Sequence, residues 1–173
     1  MTPEPRDRAE GALEGLRVLM GAIWVANLLF IVIPAAGYWS TFASVAASYG
    51  PSSLGGAGFA EFVSTHPLVF AWIIALVTAY LAVAFLFGFT TRLACIIGFG
   101  FSLAFLLTQW GQTVNTPGGT DVGAHPLYML VYAVLFAGGA GSSWSVDARL
   151  AGRTGLARIL RWIGSPGPRP PQT

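Results

Sequence analysis

Charged residues are scarce in this chain: Asp, Glu, Lys and Arg together make up 9% of its 173 residues, against about 25% in soluble domains. So few charges cannot cover a water-facing surface. With 54% of the residues hydrophobic, most of the exterior is expected to face lipid. Cysteine is nearly absent. The single thiol, Cys95, cannot form an internal disulfide or a C-x-x-C pair, which argues against a thiol-exchange enzyme. Inside an apolar run it reads as a small packing residue. Lysine is missing altogether, since all 9 basic residues are arginine. The arginines of the C-terminal tail are too few and too dispersed for nucleic-acid binding, so no such partner is expected.

What the chain does have is four apolar runs, at about residues 16–37, 67–88, 93–110 and 126–141. At about 1.5 Å per residue the run from Pro67 to Gly88 covers roughly 33 Å, enough for a hydrocarbon core of about 30 Å. The arginines sort sharply around these runs. Arg6, Arg8 and Arg17 precede or open the first, Arg92 lies between the second and third, and Arg149, Arg153, Arg158, Arg161 and Arg169 follow the fourth. The connections 38–66 and 111–125 contain none. Cytoplasmic loops keep the excess of Arg and Lys, so both termini are expected in the cytoplasm and those two loops outside. Trp39 and Trp110 then fall at the outer interface and Trp144 at the inner one, where indole rings prefer to sit. Pro34-Ala35-Ala36-Gly37 has some character of a signal-peptide cleavage site. The run before it is longer than a usual signal core, and the bundle needs it, so a retained helix is expected.

The expected architecture is therefore an all-α integral-membrane four-helix bundle over residues 13–145, with short interfacial helices. Residues 1–12 read as a mobile tail and 165–173 as a proline-rich disordered one. Phe42, Val45, Ala46 and Tyr49 in the outer loop keep the i, i+3, i+4, i+7 spacing of an amphipathic helix. Leu156, Ile159, Leu160 and Ile163 do the same within a cytoplasmic interfacial helix expected over 146–164. Small residues recur every four positions at Ala71, Ala75 and Ala79 and at Ala94, Gly98 and Ser102. Such ridges let helices approach closely where lipid supplies no hydrophobic drive for association.

Chemistry is confined to few residues. The second and fourth runs open alike, Thr65-His66-Pro67-Leu68 and Ala124-His125-Pro126-Leu127, and hold the chain's 2 histidines. Glu61 and Asp121 precede them and are the acidic residues of the outer loops. Three readings fit these groups. The histidines cap or anchor their helices at the lipid boundary; or His66, His125 and Asp121 exchange protons with a quinone head group, since imidazole titrates near neutral pH; or His66, His125, Glu61 and Asp121 converge on a divalent metal. Trp24, Trp72, Tyr128 and Tyr132 supply the aromatic surface that a flat hydrophobic ligand needs. Arg17 either snorkels to lipid phosphates or reaches a ligand on the inner side.

Arg17 with Gly21 and Trp24, the turn Gly88-Phe89-Thr90-Thr91-Arg92, Thr120-Asp121-Val122-Gly123 followed by Tyr128, and Ala140-Gly141-Ser142-Ser143-Trp144-Ser145-Val146-Asp147 together resemble the DoxX/DoxD group of bacterial membrane proteins, the DoxD branch most. The likeness runs over roughly residues 14–150. It implies a four-span protein of the cytoplasmic membrane, and for the DoxD branch a membrane subunit of thiosulfate:quinone oxidoreductase. Many DoxX-type proteins carry an acidic residue within the second span, where this chain has Thr78. The expectation is a subunit that serves or anchors a quinone-linked redox system, with quinone as the possible cofactor, lipid and other membrane subunits as partners, and Arg17, Trp24, Trp72 and Tyr128 as ligand contacts. A non-catalytic structural subunit is the alternative. A small-solute transporter ranks lower, because the spans lack a polar path.

Overall fold

The computed structural model describes residues 5–32, 61–62, 65–108, 124–139 and 145–151. Within them the chain is all helical. Four long helices, α1 (Pro5–Asn27), α2 (Pro67–Phe87), α3 (Thr91–Thr108) and α4 (Ala124–Gly138), are followed by a short α5 (Val146–Ala151). After Asn27 the helix continues as a π-helical segment, Leu28–Val32. The two amphipathic segments expected at 42–49 and 156–163 lie outside the described residues, as does Asp121.

The helices track the apolar runs, with instructive shifts. Helix α1 begins at Pro5, well inside the stretch read as a tail. Proline suits the first turn of a helix, and Arg8, Ala9, Glu10, Ala12 and Leu13 are good helix formers that carry it to the apolar part. Helix α2 starts at Pro67, as its sequence indicates, and ends at Gly88, which adopts the left-handed conformation (φ 64°) as C-cap and donates its N–H to the Ala84 carbonyl. Helix α4 starts two residues before its proline, so His125 and Pro126 both sit within the first turn.

Helices α1 and α2 pack along each other, α3 and α4 do likewise, and the two pairs meet through α2 with α3 and α1 with α4. Helices α2 and α4 do not run side by side; they meet where the Phe85 and Tyr132 rings stack with centroids 5.6 Å apart. Glycines mark the close approaches. A side chain at Gly21 would lie 2.6 Å from the Leu86 backbone nitrogen, and one at Gly98 would lie 2.6 Å from the Tyr132 ring. The small-residue ridge of α3 thus receives an aromatic ring rather than another ridge. The core along this seam holds Met20, Trp24, Leu81, Phe85, Tyr132 and Leu135.

Candidate functional site

Of the expected ligand residues, Arg17 lies in a polar centre and Trp24, Tyr128 and His125 in an aromatic one. Arg17 is 2% exposed; its guanidinium donates to Glu14 at 2.7 Å, to the Leu86 carbonyl at 3.2 Å and to the Phe85 carbonyl. Of the two readings of Arg17, snorkelling to lipid phosphates does not fit a side chain buried this deeply. The last carbonyls of a helix lack intrahelical donors, and a cation at that negative dipole end is favourable, so the side chain turns inward onto α2. Glu14, one turn before Arg17 on α1, is the partner that sequence reasoning missed; the i, i+3 spacing of opposite charges was its signal.

Beside Arg17 the α2–α3 turn is fastened by α5. The Asp147 carboxylate accepts the Thr90 N–H at 2.8 Å, the Thr91 N–H at 3.1 Å and the Thr91 hydroxyl at 3.4 Å. In return the Asp147 N–H donates to the Gly88 carbonyl at 3.1 Å. An acceptor from a distant segment thus serves as the N-terminal cap of α3. Thr90 sits at φ 50°, an unfavourable backbone for a β-branched residue. Its hydroxyl donates to Phe89 O at 2.7 Å and shares a hydrogen bond with the Tyr80 hydroxyl at 2.8 Å. Gly88 allows the close approach of this segment, for a side chain there would collide with Ser145 and come within 3.1 Å of the Arg17 guanidinium carbon. Arg17, the glycine turn and Asp147, scattered in the sequence, therefore form one buried clamp.

The second centre is aromatic. Trp24 is buried, and its indole N–H donates to the Tyr132 hydroxyl at 2.8 Å. Its ring packs against Phe101 at 5.8 Å and Tyr128 at 6.3 Å. From Phe101 the contacts continue to Phe105 at 4.9 Å, then to His125, stacked on Phe105 at 5.4 Å with only 19° between planes. His125 also meets the edge of Tyr128 at 6.3 Å. Phe105, His125 and Tyr128 are half-buried. Sequence reasoning missed Phe101 and Phe105, although their i, i+4 spacing on an apolar run puts two rings on one helical face.

The remaining residues stand apart from this cluster. Trp72 is 60% exposed on the outward face of α2. His66 occupies the N-cap position of α2 without making a side-chain cap bond, is exposed, and packs against Phe62 at 5.0 Å. Glu61 is exposed in the preceding turn, where its carbonyl accepts the Thr65 hydroxyl at 2.7 Å. Among the described residues no three His, Cys, Asp or Glu side chains come together in a metal-binding group. No protein-family model, curated protein or solved structure matches the chain.

Proposed function

We propose that this chain is an integral membrane four-helix bundle of the DoxX/DoxD kind, with both termini cytoplasmic, that serves or anchors a quinone-linked redox system. Two helices are long and apolar enough to cross a membrane, and only 22% and 33% of their spans are buried inside the protein. The core helix of a soluble domain would be mostly covered. Here Leu68, Val69, Trp72, Leu76 and Phe87 along α2, with Leu127 and Leu130 on α4, are each more than half exposed. An apolar surface of that extent requires lipid or protein around it. The arginine distribution supplies the orientation.

The quinone assignment is carried by the run of rings from Trp24 to His125. Half-buried aromatic faces and one imidazole at the end of a helix suit a flat, apolar head group with polar oxygens. Phe105 and Tyr128 offer ring surface, and Trp24, locked by its bond to Tyr132, backs them. A bound quinone supplies two-electron, two-proton redox chemistry. In this reading His125 is the group that exchanges protons with the quinone, while Phe105 fixes the plane of its ring. Arg17 and the Asp147 clamp hold the bundle together rather than touch the ligand. The second reading, a structural subunit, is favoured by the outward face of α2, which is apolar along its length and suits a partner helix as well as lipid.

Turnover and assembly separate the two. His125→Ala should lower quinone-dependent turnover per assembled complex by about a hundredfold, the low end for loss of general acid–base help, with assembly retained. His66→Ala should change it far less. Unchanged turnover in His125→Ala would leave the structural role standing. A reporter fused after Gly164 should be active only in the cytoplasm; activity only outside would overturn the orientation.

A further inference from the structure

Helices α3 and α4 line an apolar groove of about 280 Å³ that shares only Tyr132 with the aromatic centre. Its floor is Cys95 and Tyr132, exposed by only 2% and 1%, while Ile96, Phe99 and Phe136 form walls exposed by 58%, 38% and 43%. The groove is therefore open on its outer side and closed toward the bundle. Arg92, in the first turn of α3, adjoins this lining through one wall residue: its guanidinium carbon lies 5.8 Å over the Phe136 ring. That contact is within cation–π range and brings a half-buried positive charge beside an apolar channel. Arg149 is exposed on α5, which is fastened to the same end of the bundle through Asp147.

We propose that this groove binds one anionic phospholipid of the cytoplasmic leaflet, an acyl chain lying along Ile96, Phe99 and Phe136 and the phosphate at Arg92. The proposal rests on the membrane placement given above. Charge complementarity selects the occupant: an arginine beside an apolar groove matches a lipid with a negative phosphate and no compensating choline. The prenyl tail of a quinone fits the arrangement less well, because Arg92 lies away from His125. About 10 Å of helix separates Arg92 from Phe99, so the groove stays within one leaflet.

The full-length protein, purified in mild detergent, is incubated with phosphatidylglycerol or phosphatidylcholine, and retained lipid is counted by native mass spectrometry. The wild type should keep one phosphatidylglycerol per chain with a preference of about fivefold, as expected for one arginine near an anionic group. Arg92→Gln should bring the two lipids level. Ala133→Trp, at an exposed groove position, should prevent retention of either lipid while leaving the bundle folded, as judged by circular dichroism. Equal retention of both lipids by the wild type, an unaltered preference in Arg92→Gln, or displacement by a long-chain quinone but not by phosphatidylglycerol would each overturn the site. Alkaline carbonate extraction of the same cells distinguishes the two levels. Protein released into the soluble fraction defeats the membrane placement, whereas membrane-retained protein without lipid preference defeats the groove alone.

Discussion

Replacing Asp147 by alanine should be among the most damaging single changes at the end of the bundle that holds the α2–α3 turn. The carboxylate is 1% exposed and accepts from two backbone N–H groups whose residues, Thr90 and Thr91, are 5% and 1% exposed. Neither donor is replaced when the carboxylate goes, and a buried donor left without a partner costs about 1–3 kcal/mol. Taking about 1.5 kcal/mol for each of the two gives a loss of about 3 kcal/mol. Loss of the tether on Thr90, held at φ 50°, acts in the same direction. The substitution Asp147→Asn keeps one acceptor oxygen, so it should lose about half as much. Reversible unfolding in mixed micelles of dodecyl sulfate and a non-denaturing detergent, followed by tryptophan emission, measures both. Amide exchange at Thr90 and Thr91 should rise in the alanine variant before exchange in α2 does. A loss below about 0.5 kcal/mol, the level of an ordinary surface substitution, would refute the idea that α5 caps α3.

Other outcomes follow from the same geometry. Arg17→Met should destabilise by about 3 kcal/mol or more, since it strips donors from the end of α2 and strands Glu14 beside it; micelle unfolding checks this, and restored stability in Arg17→Met/Glu14→Leu would identify the stranded carboxylate as the main cost. Gly21→Ala should cost more than Gly138→Ala, because the first meets the Leu86 backbone at 2.6 Å and the second a terminal Leu13 methyl that can rotate away; overpacking against an unyielding neighbour costs about 1–3 kcal/mol, and thermal denaturation in detergent ranks the pair. Trp24→Phe and Tyr132→Phe should each destabilise, and together by less than their sum, with a coupling of about 1 kcal/mol from the shared 2.8 Å bond; strict additivity in the double-mutant cycle would count against that bond.

The long helices were legible in the sequence because hydropathy is a local property. Pro67 and Gly88 bracket α2 as their backbone preferences dictate, proline at the first turn and glycine where φ must be positive. The amino end of α1 was not legible: a polar stretch with two prolines looks like a tail until the helix formers after Pro5 are joined to the apolar run. The two histidine–proline pairs show the limit most clearly. Alike in sequence, they differ in structure, since His66 stands before its helix and His125 lies within one. That difference turns His125 onto Phe105 and leaves His66 against Phe62.

Composition and spacing alone therefore determined that the chain is helical and unusually apolar, and roughly where each long helix runs, because each of these depends on neighbours a few residues apart. Only the tertiary structure decided what the scarce polar groups do. Arg17 finds carbonyls 68 and 69 positions away, Asp147 finds amides 57 and 56 positions away, and Trp24 finds its hydroxyl 108 positions away. In an apolar interior a polar group must be paired wherever a partner can be brought. The packing of whole helices selects that partner, and no local pattern of residues encodes it.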